Sequence, residues 1–255
     1  MSDARTNNTV RHRITVALTY LTWCAEGGLP VADLTRLRRL KRSYPKVYGK
    51  VQSANPGRWL THDEAFGRLI GTCQDGSLIG LRDELVIRFG LAGIRKAEIA
   101  SLTWRNVASL PVVEWTGKGK RPRKIAAGPA LVDALARWRS AYRDPTGDDP
   151  IICCTTTGTK PRIDWRHGYR PETNCLHKII TRRALQADLG HVAPHDLRRT
   201  AAGILHRSTA DTGAHHFDLL DIQKVLGHAD PATTMRSYLD PMDTGVIDRA
   251  AAVLD

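Results

Sequence analysis

Three short stretches concentrate groups able to hold an anion and move a proton. In Pro194-His195-Asp196-Leu197-Arg198 an imidazole and a guanidinium stand three positions apart, directly after a proline. On a helix, positions i and i+3 are neighbours, so both side chains project to the same side. Pro194 suits a first helical turn, which leaves His195 near a helix N-terminus, where unsatisfied N–H groups favour an anion. In Val225-Leu226-Gly227-His228 the glycine stops one helix, and Asp230-Pro231 starts another that carries Tyr238 about two turns in. Upstream, Gly90 and Gly93 precede Arg95, and Thr116-Gly117-Lys118-Gly119-Lys120-Arg121 presents Lys118 at the tip of a hairpin.

Taken singly, each of these residues has a plainer reading. Arg95 has a ready carboxylate partner in Glu98 at i+3, and a lysine in a glycine-rich turn is usually just solvated, with Lys120 able to replace Lys118. Tyr238 could be a core tyrosine with a satisfied hydroxyl, and His195 and Arg198 could mark an exposed helix face. His215 and His216 have no cysteine or carboxylate at ligand spacing, so they read as loop residues and no metal site is expected.

The bulk composition narrows the partner. Of 255 residues, 38 are Lys or Arg and 26 are Asp or Glu, a formal charge of +12, with a pI near 9.8. That excess favours a polyanion, nucleic acid ahead of a membrane surface. The apolar stretches fall short of the roughly 20 residues a spanning helix needs. The polar start MSDARTNNTVRHR has no signal-peptide pattern. The five cysteines are odd in number and lack paired metal-ligand spacing, so they read as reduced thiols of a cytoplasmic protein.

The elements that must position these groups are mostly helical. ITVALTYLTWCAEGG reads as an amphipathic helix closed by Gly27 and Gly28, and a shorter helix follows around Val31–Leu40. KRSYPKVYGKVQSANPGRW has no sustained period and reads as a basic linker. Thr61 and Glu64 then fit a capping box, which places a domain boundary near residue 57. Leu78, Leu81, Leu85 and Phe89 share one helical face, and a short helix follows Gly93. PVVEW and RKIAA read as hairpin strands, and Leu131, Leu135 and Trp138 stripe the next helix. Residues 154–171 read as a polar loop. Helices are expected at about 173–188, 195–206, 218–226 and 231–239, with a last one from about 244. The fold class is mainly α with a small antiparallel β-sheet (α+β).

The whole set, GIRKAEI, TGKGKR, HDLR, VLGH and a tyrosine ten residues after His228, resembles the tyrosine recombinase (phage integrase) family, whose motifs occur in this order. The resemblance covers about residues 58–240. It implies a catalytic tyrosine recombinase domain at 57–255, preceded over 1–56 by part of a helical DNA-binding (core-binding) domain and its linker. The stretch after Arg198, around 207–217, is longer than the family pattern, which implies an inserted loop, and the N-terminal domain is shorter than usual.

The resemblance implies a site-specific DNA recombinase or integrase that cleaves and rejoins strands through a 3′-phosphotyrosyl intermediate, without metal, ATP or other cofactor. Tyr238 would be the nucleophile, since its phosphate ester conserves the bond for attack by a second strand. Arg95 and Arg198 would fork onto the non-bridging oxygens, because guanidinium is planar, bidentate and always charged. Lys118 would protonate the leaving 5′ oxygen, His195 would assist proton transfer at the tyrosine, and His228 would hydrogen-bond the scissile phosphate. Lys41, Arg42, Lys46, Lys50, Arg58, Lys120, Arg121 and Arg199 are the expected DNA contacts, which set affinity rather than sequence choice. The expected partners are double-stranded DNA at an attachment or crossover site, a homo-tetramer on DNA with helix 244–255 docking in trans, and an accessory bending or directionality factor. No membrane is expected, and the location is cytoplasmic, at the nucleoid. The rival readings are a type IB topoisomerase and a non-catalytic DNA-binding protein of the same fold.

Overall fold

The computed structural model describes residues 7–31, 33–39, 42, 58–117, 121–156, 161–166, 169–208 and 217–227. The chain divides into two compact units, Met1–Pro56 and Gly57–Asp255.

In the first unit, α1 runs from Asn7 to Glu26, starting well before the apolar stretch that suggested it. It ends in a Schellman turn: Gly28 adopts φ +75°, its amide donates to Ala25 O, and the Leu29 amide donates to Cys24 O. Helix α2 (34–39) is capped by Asp33, whose Oδ1 accepts from the amides of Thr35 and Arg36. Leu18 and Cys24 are buried, while Val16, Tyr20 and Trp23 stay exposed.

The second unit begins with the capping box, Thr61 N donating to Glu64 Oε2 at 2.8 Å and Glu64 N to Thr61 Oγ1 at 3.1 Å. The segment Asp63–Leu69 then winds as a π-helix. Helix α3 (Leu78–Leu91) starts on Ser77, whose Oγ accepts from Gly80 N. Of the four apolar positions expected to share one face of α3, Leu85 and Phe89 are buried. Leu78 is exposed, and every residue from Arg82 to Val86 is buried. Helices α4 (Lys96–Ser101), α5 (Pro129–Ala141), α6 (Thr173–Gln186) and α7 (Pro194–Arg207) all pack on α3. The middle of a helix enclosed in this way is shut off from solvent, so its charged residues must find partners inside. Asp83 accepts from Arg82, Arg182 and Arg183, and Glu84 accepts from Arg88 and Arg137.

The hairpin forms a two-stranded antiparallel sheet, β1 (Val112–Thr116) and β2 (Pro122–Ala126), with Val113 opposite Ile125 and Trp115 opposite Arg123. Leu131, Leu135 and Trp138 are buried on α5 as their spacing indicated. Trp138 donates to Ile151 O and stacks on Trp165, which anchors the polar loop after residue 154. A smaller cluster of Ala202, Ile222 and Leu226, packed with Trp59, Leu205 and Phe217, joins α7 to α8 (Leu219–Leu226).

Candidate active site

Arg95 is placed by local chemistry. Gly93 takes φ +83°, a left-handed turn that ends α3 and redirects the chain. Arg95 then caps α4, and Glu98 at the third helical position reaches back to its amide at 3.0 Å while also accepting from Arg95 Nη1 at 3.1 Å. The carboxylate partner expected on spacing is therefore present, and it orients the guanidinium while leaving it a third exposed.

Arg198 sits one turn into α7, after Pro194 at the first helical position. It is one of the largest fully buried side chains. Its Nη1 donates to Gly93 O and its Nη2 to Leu226 O. His195 stands at the exposed start of the same helix. Partial burial, then the charges of Arg199 and Arg198, hold its pKa below the ordinary histidine value against the opposing pull of Asp196. The imidazole is thus biased towards its neutral form, able to accept a proton.

These elements meet at the C-terminal end of α8, which stops at Gly227 in the left-handed region with φ +61°. Three consecutive carbonyls there each accept from a different arginine. Val225 O accepts from Arg123 Nη2 at 3.2 Å, Leu226 O from Arg198, and Gly227 O from Arg95 Nη2 at 3.3 Å. The last carbonyls of a helix lack intrahelical donors and carry the negative end of its dipole, so three cations fit there both by hydrogen bonding and by charge. Arg123 was not among the expected site residues. Its signal was the alternation of β2, which puts position 123 on one face with Ile125, but only the register shows that it faces Trp115 and α8. Burial draws the Arg123 pKa down, Glu98 opposes that, and the Arg95 charge adds to it.

Of the six expected catalytic residues, the structure brings Arg95, Arg198 and His195 into one region, while Lys118, His228 and Tyr238 lie outside the described residues. Of the expected DNA contacts, Lys41, Lys46, Lys50 and Lys120 also lie outside them, as do 209–216 of the inserted loop, His215 and His216 included, and the helices expected from 231 onward. Arg42 and Arg121 are exposed. Arg58 is tied into the fold: its amide donates to Asp196 Oδ1, its Nη2 donates to Glu64 at 2.8 Å and its Nη1 to Leu189 O. Arg199 lies 3.5 Å from Asp196, with its Nε buried and lacking a hydrogen-bond partner among the described residues. Among the described residues no three His, Cys, Asp or Glu side chains are grouped as a metal site, and no helix is long and apolar enough to cross a membrane.

The sequence profile of the phage integrase family matches residues 58–244. The tyrosine recombinase XerC of Corynebacterium efficiens is 30% identical over 240 residues, covering 92% of this chain and 68% of that protein. That of Mycobacterium sp. (strain KMS) is 28% identical over 231 residues, covering 89% and 70%. Among solved structures, XerH recombinase in a post-cleavage complex with palindromic difH substrate superposes with a TM-score of 0.61 at 19% identity, covering 94% of this chain and 69% of that one. The XerA recombinase gives 0.58 at 18%, covering 98% and 85%. At such identities the structures speak for the fold, which is that of the tyrosine recombinase catalytic domains. The chain belongs to the phage integrase family, and it is a tyrosine-type site-specific recombinase.

Proposed function

We propose that this recombinase cleaves and rejoins double-stranded DNA at an attachment or crossover site, with Tyr238 as nucleophile. The tyrosine oxygen bonds to the scissile phosphorus as the bond from phosphorus to the 5′ oxygen breaks. The 3′-phosphotyrosyl ester so formed holds the strand until a 5′-hydroxyl of the exchanging strand attacks it and releases the tyrosine. Arg95 and Arg198 neutralise the non-bridging oxygens, and removing one such donor typically costs about 3–4 kcal/mol of transition-state stabilisation. Lys118 protonates the departing 5′ oxygen, His195 accepts the tyrosine proton, and His228 hydrogen-bonds the phosphate.

The observation that carries this reading is the meeting of Arg95 and Arg198 on adjacent carbonyls, Gly227 and Leu226, the two residues before His228 in the chain. Two guanidinium groups beside a neutral-biased imidazole match the charge and proton demands of phosphoryl transfer. The relatives named tyrosine recombinase favour strand exchange over nick-and-reseal chemistry, and solved relatives include XerH on its difH substrate and a lambda integrase dimer on a core site.

Residues 1–56 form part of a core-binding domain whose basic residues, Lys41, Arg42, Lys46 and Lys50, track DNA phosphates, with Arg58, Lys120, Arg121 and Arg199 adding contacts from the catalytic domain. Four protomers assemble on DNA with helix 244–255 exchanged between neighbours, aided by a bending or directionality factor. The test is to trap covalent adducts on a random-sequence library, then place the recovered site twice in a plasmid. Deletion or inversion between the sites is expected. Relaxation of a plasmid without the site, with no exchange, would instead mark a topoisomerase.

A further inference from the structure

One side chain outside the expected set touches the surroundings of three of its members. The stem of Arg123 packs over Gly117, the residue before Lys118, where an added Cβ would lie 2.8 Å from Arg123 Cδ and 3.2 Å from Glu98 Oε1. Its guanidinium lies against Gly227, the residue before His228. An added Cβ there would stand 2.5, 2.6 and 2.7 Å from Cζ, Nη2 and Nε, near-equal distances that put the guanidinium face-on to the glycine. Its Nη1 is 3.6 Å from Glu98 Oε1, the carboxylate that orients Arg95. The group also stands 5.1 Å from the Trp115 ring, where a cation–π attraction holds it. Only 12% of the side chain is exposed.

We propose that Arg123 is a positioning residue of strand cleavage: it holds the hairpin that carries Lys118, the Glu98–Arg95 pair and the turn into His228 in one register. The proposal rests on the strand-cleavage reading above. A guanidinium is suited to the task because it is flat enough to lie between an indole and a glycine, and its several donors point in fixed directions. A lysine keeps the charge but presents a tetrahedral ammonium that cannot fill the same slot.

The test uses Arg123→Lys and Arg123→Gln in the full chain, on nicked suicide duplexes carrying the site recovered from wild-type adducts. Both variants are expected to keep the wild-type Kd, to stay folded at the assay temperature and to form the phosphotyrosyl adduct about 100-fold more slowly, the scale of loss for a small misplacement of reacting groups. Replacing the bridging 5′ oxygen with sulfur gives a leaving group that departs without a proton, so it should restore part of the lost rate by bypassing a displaced Lys118. Wild-type cleavage by Arg123→Lys would overturn the proposal. So would a Kd weakened by the same factor as the rate, which would make Arg123 a DNA contact, or a Tm that falls with the rate and no sulfur rescue, which would make it a fold stabiliser. A wild-type chain that traps no DNA at all would refute strand cleavage itself and take the proposal with it.

Discussion

Arg95 Nη2 donates to the carbonyl of Gly227 at 3.3 Å, joining positions 132 residues apart in the chain. The bond ties the start of α4 to the end of α8, and its acceptor is a glycine held in the left-handed region at φ +61°. Replacing Gly227 with alanine adds left-handed strain of about 1–2 kcal/mol and drives a methyl into the Arg123 guanidinium. Thermal denaturation should register a lower Tm. Adduct formation should fall further than that loss of stability explains, because the carbonyls held by Arg95, Arg123 and Arg198 shift together. A variant with native rate and Tm would show that neither the backbone conformation nor the close approach matters.

Asp83 is the second long-range junction. It is fully buried and takes hydrogen bonds from Arg82 at 2.6 and 3.0 Å, Arg182 at 2.6 Å and Arg183 at 2.9 Å. Asp83→Asn leaves the buried Arg82 without its counter-charge and Arg183 with only Asp75 at 3.2 Å, and breaking a buried pair costs about 3–5 kcal/mol. Denaturant titration should show a matching drop in unfolding free energy. An unchanged midpoint would mean that water or another acceptor replaces the carboxylate.

The histidine at the head of α7 sets a pH dependence. The His195 pKa is held below the ordinary 6.5, so the ring stays neutral at a pH where an unconstrained histidine has begun to charge. The stability gained by keeping it neutral is present above the unfolded value and is lost as pH falls through the folded one. NMR titration of the ring should give a midpoint below 6.5. Arg199→Gln, by removing a nearby positive charge, should raise that midpoint and move the acid limb of cleavage upward with it. A midpoint at or above the ordinary value in the wild type would contradict the assignment.

Removing the phenol hydroxyl separates chemistry from binding. Tyr238→Phe should abolish the covalent protein–DNA adduct while leaving gel-shift affinity largely intact, and EDTA should leave wild-type cleavage unaffected. An undiminished adduct in the phenylalanine variant would reject the nucleophile, and loss of cleavage on chelation would point to metal-dependent hydrolysis.

Local rules made much of this molecule legible. The Thr61–Glu64 box, the hairpin, the Trp138 stripe and the proline-led start of α7 each depend on residues a few positions apart, and each was visible in the sequence. The order of the motifs carried the family, since five short patterns in sequence are far more specific than any one alone. Tertiary packing decided the rest. The enclosure of α3 was hidden because periodicity reports one face against solvent, and α3 is packed by α4, α5, α6 and α7. Arg58 read as linker charge until Glu64, Leu189 and Asp196 were brought to it by the fold. Arg123 read as one more basic residue of the hairpin, and its meeting with Val225, Gly227 and Glu98 spans separations that no local pattern encodes. Residue types and spacing therefore determined which groups could do the chemistry, and the closure of distant segments, driven by burial of a shared core, decided which guanidinium groups stand together.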